Sequence, residues 1–388
     1  MSYYFALGHV PHKRHTQFRQ PDGSLYHEEL MGTQGFTGDK SLLYHLRRPT
    51  AVERIDSGCP VAIPFAEEGP IRHQLLRTSQ FPSTGDAVSG RVPLLANSDL
   101  CISIARPDQA MPYWYRYAHG DEVIFVHEGT GLFESQFGNI HYGPGDYLVI
   151  PTGVVWRIVP DNAEQRLLVV ESAGGHVRPP KRYLNEHGQF LESAPYSERD
   201  IRPPEGLVTH DEEGEFEVRV KARNYIGRYI YRHHPLDVVG WDGHLWPFAF
   251  NIADFEPITG RVHQPPPVHQ TFDGPGFVLC SFVPRLFDYH PQSIPAPYNH
   301  SNVDSDEVIY YVKGDFMSRK GVEPGAFTVH PNGIPHGPHP GMYEGSIGKT
   351  RTDELAVMVD TFRPLRLTTH AAAASDERYP FTWSTDSE

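Results

Sequence analysis

The feature that most constrains this chain is an internal repeat. Glu122 is followed by the run VIFVHE and then Gly129, and Glu307 by VIYYVK and then Gly314. Downstream of each lies a second block. PGDYLVIPTGVVW sets Gly145, Pro151, Gly153 and Trp156 at the intervals at which PGAFTVHPNGIPH sets Gly325, Pro331, Gly333 and His336. A Pro-Gly turn opens a strand, an apolar run fills it, and a Pro-x-Gly turn closes it. Two motifs that agree in order and spacing indicate a duplicated architecture, and such a repeat governs every later assignment.

The 388 residues suit two domains of about 100–200 residues each. With 36 prolines, 35 glycines, 20 tyrosines and 21 phenylalanines, the chain reads as many short strands joined by tight turns. An all-β fold is expected. The paired blocks resemble the two cupin motifs, whose strands build a small jelly-roll barrel around one metal. The expected architecture is therefore a tandem cupin, or bicupin, with an N-terminal β-rich extension. Its expected parts are a wrap over 1–90, a metal-free barrel over 91–175, a linker packed on the barrels over 176–224, a metal-binding barrel over 225–370, and a frayed tail over 371–388.

Charge and cysteines narrow the functional class. Forty-eight acids against 34 bases give a formal charge of −14, which repels phosphate backbones and argues against nucleic acid as a partner. No apolar run approaches the roughly 20 residues of a membrane helix. The N-terminus lacks the apolar core of a signal peptide. Cys59, Cys101 and Cys280 form no CxxC pair. A cytoplasmic protein is expected.

Position-by-position comparison of the repeats separates their chemistry. The second offers His300, Glu307 and His336: two imidazoles and one carboxylate, the facial set of non-haem iron(II) oxygenases, with positions left open for substrate and O2. The first offers His119 and Glu122, but Trp156 stands where the other has His336, and an indole is no ligand. One Fe(2+) per chain is expected, in the second barrel. His330 alternates with its strand neighbours, as a residue supporting a ligand or substrate would. His339 is expected on the pocket rim. RVHQPPPVHQ presents His263 and His269 on a proline-rich loop, either of them a candidate for proton transfer.

Four stretches carry a more specific likeness: LYHEELMGTQGFTGDKSLLYHLRRP, DVVGWDGHLWPFAFNIADFEP, PYNHSNVDSDEVIYYVKGDF and HPNGIPHGPHPG. Through them the chain resembles the homogentisate 1,2-dioxygenase family over most of its length. The resemblance implies that His300, Glu307 and His336 hold iron. It further implies that His263 is the active-site histidine for proton transfer, and that Tyr298, His330 and His336 lie at the substrate. A homotrimer or homohexamer is implied as well. Six residues separate His300 from Glu307, one more than in the better-known branch, and Phe316 stands where that branch has a substrate-contacting tyrosine. These departures mark a divergent, bacterial-type branch.

The activity implied is extradiol-type cleavage of a small aromatic substrate by O2, homogentisate giving maleylacetoacetate in tyrosine and phenylalanine breakdown. The alternatives are a dioxygenase for another hydroquinone-type acid such as gentisate, whose bicupin enzymes typically use three histidines, and a non-catalytic metal-binding bicupin.

Overall fold

A computed structural model describes residues 3–264, 266–314 and 316–384. It is a mainly antiparallel β architecture built as a tandem cupin, with only two short α-helices and a few 3-10 turns among the described residues.

The first repeat lies in two sheets. One is seven-stranded, in the order Gly138–Tyr142, Gly131–Ser135, Val155–Pro160, Trp114–Tyr117, Glu213–Ala222, Tyr225–His233, Arg54–Pro60. The other is eight-stranded and centres on Asp146–Ile150, Glu122–Glu128, Arg166–Ser172 and Leu100–Ala105. The second repeat forms a six-stranded sheet: Gln270–Gly274, Phe277–Phe282, Leu355–Thr361, Asp306–Lys313, Phe327–His330 and Gln74–Leu76.

The two repeats pack sheet against sheet over one continuous core, which contains Ile124 and Val169 from the first together with Val308, Tyr310 and Val359 from the second. Side chains alternate along a strand, so Glu307, Ile309 and Tyr311 face the second barrel's own cavity while Val308 and Tyr310 face the first barrel. At that junction the His127 ring meets the Tyr310 hydroxyl at 2.6 Å, and the Tyr147 hydroxyl meets Ser281 at 2.9 Å. Burial on both faces explains why these strands read as nearly continuous apolar runs.

The units interlace. Strand Gln74–Leu76, from the stretch expected to wrap, forms an edge of the second barrel's sheet. Arg366–Leu367 crosses back to pair with Arg91–Ala96 of the first. Glu213–Ala222, in the expected linker, is a full strand of the first barrel, lying parallel to Trp114–Tyr117. Residues 225–251, assigned by spacing to the metal barrel, pair instead with first-barrel strands: Tyr225–His233 with Glu213–Ala222, and Phe248–Asn251 with Asp146–Ile150. A separate four-stranded sheet joins Phe5–Gly8, Val238–Gly243, Lys40–His45 and His27–Gly32.

The tail departs from expectation. Residues 369–384 form the helix Thr369–Ala374 and a turn at Tyr379–Phe381, with Tyr379 buried. Expected to be frayed, this segment instead lays Tyr379 and Trp383 against His73, His330 and His339. Residues 385–388 lie outside the described residues. No described helix is long and apolar enough to cross a membrane.

Candidate metal centre

Three side chains from different segments meet at the mouth of the second barrel. Glu307 enters from strand Asp306–Lys313 and points inward by alternation. His300 and His336 lie in irregular segments stapled together by reciprocal backbone hydrogen bonds, each N–H donating to the other's carbonyl at 2.8 Å. Gly337 permits that staple, because a Cβ there would lie 2.0 Å from Asn299 Oδ1 and 2.8 Å from its Cα.

One ligand atom from each of the three lies within 4.8 Å of the others. His300 Nε2 is 3.7 Å and His336 Nε2 3.4 Å from the Glu307 carboxylate. The His336 side chain is fully buried, yet neither ring nitrogen has a hydrogen-bond partner. Buried polar atoms are normally satisfied, so an orphaned imidazole beside a carboxylate is suited to be a metal ligand. The donor set fits a divalent metal. His300 supports this reading: its Nδ1–H donates to the Tyr298 carbonyl at 3.1 Å, leaving Nε2 for a metal.

His330 lies behind the site, not on the cavity wall. It is fully buried, stacks on His336 at 4.4 Å, and meets Glu307 Oε1 through Nδ1 at 2.8 Å. Burial pushes its pKa down to about 3 against the pull of Glu307, so the ring is neutral, a donor at Nδ1 and an acceptor at Nε2 toward the Tyr379 hydroxyl, 3.4 Å away. The sequence placed His330 at the substrate; in the structure it is buried and does not line the cavity. Burial disfavours the Glu307 charge too, but the three imidazoles around it, His300, His330 and His336, with the His330 hydrogen bond among their contacts, outweigh it and hold the carboxyl well below its ordinary range.

In front of the triad is a cavity of about 400 Å³, whose wall includes His263, His269, Tyr298, Phe316, Arg319 and Asp360. His263 is half-exposed, 3.5 Å from Asp288, and edge-on to Tyr298. His269 is buried against Phe282, and desolvation pushes its pKa down to about 3. Phe316 packs on Tyr311. His339 is not on the rim: it is buried, stacked on Trp383 at 4.3 Å and hydrogen-bonded to Thr382 at 2.7 Å.

Two participants escaped the sequence reading. Asp360 is the cross-strand partner of Glu307, and burial together with the Glu307 charge pushes its pKa up to about 8. A signal existed: RLLVVES and LAVMVDT are a third repeated block, and Glu171 pairs with Glu122 as Asp360 pairs with Glu307. The other participant is the tail pair Tyr379 and Trp383, with Trp383 Nε1 donating to the Gly337 carbonyl at 3.0 Å. In the first barrel, Glu122 faces Arg91, whose Nη1 is 2.6 Å away, and Trp156 fills the place of His336. His119 is exposed there.

A family described as "Homogentisate 1,2-dioxygenase N-terminal" matches residues 74–252, ending just past Phe248–Asn251, a strand of the first barrel's eight-stranded sheet. A Saccharolobus solfataricus protein named "Putative dioxygenase" is 42% identical over 99% of this chain and 100% of its own length. A homogentisate 1,2-dioxygenase of Bradyrhizobium diazoefficiens is 26% identical over 90% of this chain and 84% of its own. Among solved structures, a cupin 2 conserved barrel domain protein from Leptotrichia buccalis aligns over 79% of this chain and 100% of its own, with a TM-score of 0.34 and 11% identity.

Proposed function

This chain belongs to the homogentisate 1,2-dioxygenase family, in a divergent branch, and from that premise we propose an iron(II)-dependent, ring-cleaving dioxygenase acting on homogentisate. The observation that carries the reading is the convergence of His300, Glu307 and His336 beside a cavity that His300 and Glu307 line and that is large enough for one aromatic ring.

His300, Glu307 and His336 would hold the ion, two neutral nitrogens and one carboxylate being a set suited to iron(II). Iron held by these three residues would supply the redox chemistry that lets O2 react with the aromatic ring, both oxygen atoms of O2 ending in maleylacetoacetate. His263 takes the ring hydroxyl's proton; its Nδ1 faces Asp288, which leaves Nε2 toward the cavity. The pKa of His269 near 3 makes it a poor base at neutral pH, which favours His263 for that step. Tyr298 borders the substrate beside His263, and Arg319, buried with Nε unpartnered, offers charge to the acetate arm. Water is kept from the reacting atoms by Phe316, Phe282 and Met358 on the cavity wall.

Phe316 also favours a second reading, in which a different hydroquinone-type acid is the substrate, since it offers no hydroxyl where the better-known branch has one. Oxygen uptake with iron(II) and ascorbate, comparing homogentisate, gentisate and hydroquinone, separates the two. Homogentisate should turn over fastest; faster gentisate cleavage would overturn the assignment. No uptake with any of them by iron-loaded protein would point to a non-catalytic metal-binding bicupin. A cytoplasmic homotrimer or homohexamer accompanies this reading, and light scattering measures the mass.

A further inference from the structure

The first barrel keeps the carboxylate pair of the second and fills it differently. Glu122 and Glu171 are cross-strand partners, and the Arg91 guanidinium lies between them, Nη1 at 2.6 Å from Glu122 and 2.9 Å from Glu171. Lys221 Nζ lies 2.5 Å from the same Glu171 oxygen. A fixed cation thus stands where the other repeat gathers metal ligands.

Beside this cluster opens a cleft of about 670 Å³, between the strand Arg91–Ala96 and the hairpin that starts with Glu213–Ala222. Arg91, Arg219, Lys221, Arg223 and Arg228 border it. The carboxylates paired with them are Glu122, Glu171 and Glu217, so five cations meet three anions in a protein whose formal charge is −14. Two further observations point to a ligand. Arg91 is almost wholly buried, and its Nη2 has no hydrogen-bond partner. An unpaired buried guanidinium N–H is costly, and an acceptor entering the cleft would relieve it. Part of the remaining wall is apolar or aromatic, with Val88, Leu100, Ile226 and the rings of Tyr113 and Tyr117, whose hydroxyls are already engaged by Asp86 and by the Ser172 carbonyl; Ser103, Asn97, His119 and Asn224 are among its neutral polar residues. Arg219 lies 3.5 Å over the Tyr113 ring.

We propose that this cleft is a second ligand site, taking a small organic carboxylate with its anionic head among Arg91, Arg219 and Lys221 and its apolar body against Tyr113 and Tyr117. The positive surplus selects an anion, and the apolar part of the wall, with the Tyr113 and Tyr117 rings, favours an organic acid over a bare inorganic ion. No part of the argument uses the metal barrel, so it stands whatever that barrel catalyses.

The probe is 4-bromophenylacetate, added to crystals of the iron-loaded protein and titrated calorimetrically in solution. A bromine anomalous peak is expected in the first-barrel cleft, with saturable binding that weakens at least tenfold in Arg219→Gln/Arg223→Gln at unchanged iron content. His336→Ala should leave that binding intact. Bromine only in the metal-bearing cavity, no peak at all, or equal binding by the double variant would each overturn the site. Inorganic phosphate binding as tightly as the aromatic acid would overturn its assignment to an organic ligand. The map of the wild-type protein decides the question even if the double variant fails to fold.

Discussion

Two residues beside the triad help to build the candidate metal centre around His300, Glu307 and His336. Gly337 lets the His336 segment press against Asn299, and an alanine Cβ would meet backbone there. Gly337→Ala should force apart the segments carrying His300 and His336, lowering bound metal well below one per chain while the far-ultraviolet circular dichroism stays native. Metal analysis after dialysis reads this directly, and full occupancy would refute it. His330 acts through Glu307, as the donor that fixes its Oε1. Ligand-supporting hydrogen bonds are typically worth 10–100-fold in metal affinity, so His330→Phe, which keeps the ring and removes the donor, should weaken binding by about that factor in a chelator competition. Unchanged affinity would mean that Glu307 needs no such support. His300, Glu307 and His336 were legible because each sits in a short motif whose turns fix its direction. Tyr379 was not, since nothing local in RYPFTW announces that its hydroxyl reaches a histidine on another strand.

At the scale of elements, strand register is what the sequence carries least openly. The repeat predicted the Glu-bearing strands, because a carboxylate followed by an apolar run and a turn glycine is a local pattern. It did not predict that each glutamate faces a second acid, Glu171 or Asp360, across the sheet, as pairing depends on strands far apart in the chain. The four-stranded sheet shows the same long reach. His45, on strand Lys40–His45, is buried between Asp237 at 2.7 Å and Glu29 at 3.1 Å. Burial alone would lower its pKa, but the two carboxylates outweigh it and raise it to about 9. The folded value exceeds the unfolded one of about 6.5, so the stabilisation is full below pH 6.5 and fades as pH rises through 9. A shift of that size corresponds to on the order of 3 kcal/mol. Chemical denaturation at pH 6 and pH 9.5 should show a loss of that order in the wild type, and His45→Gln should flatten it. An equal slope in the variant would place the pH dependence elsewhere.

For the molecule as a whole, the interlacing of the two barrels decides how it comes apart. Compositional cues suggested two units with a linker, yet strand Gln74–Leu76 closes an edge of the second sheet and Arg366–Leu367 returns to the first. The faces that meet between them, with Tyr310, Phe327 and Val359 on one side and Ile124 and Val169 on the other, belong to one core. The tail adds a further tie, since Tyr379 and Trp383 pack over His73, His330 and His339. Separating the barrels would expose apolar surface on both at once, and that couples their unfolding. Calorimetry of the metal-free protein should therefore give one transition, with calorimetric and van't Hoff enthalpies equal. A fragment spanning residues 253–388 should aggregate, because it lacks the edge strand Gln74–Leu76 and leaves the Tyr310 face in water. Adding the first half in trans should restore solubility, since the missing strand and the covering sheet both reside there. Two resolved transitions in the intact chain, or a soluble and cooperatively folded fragment, would show that each barrel closes its own core and that the crossing strands are dispensable.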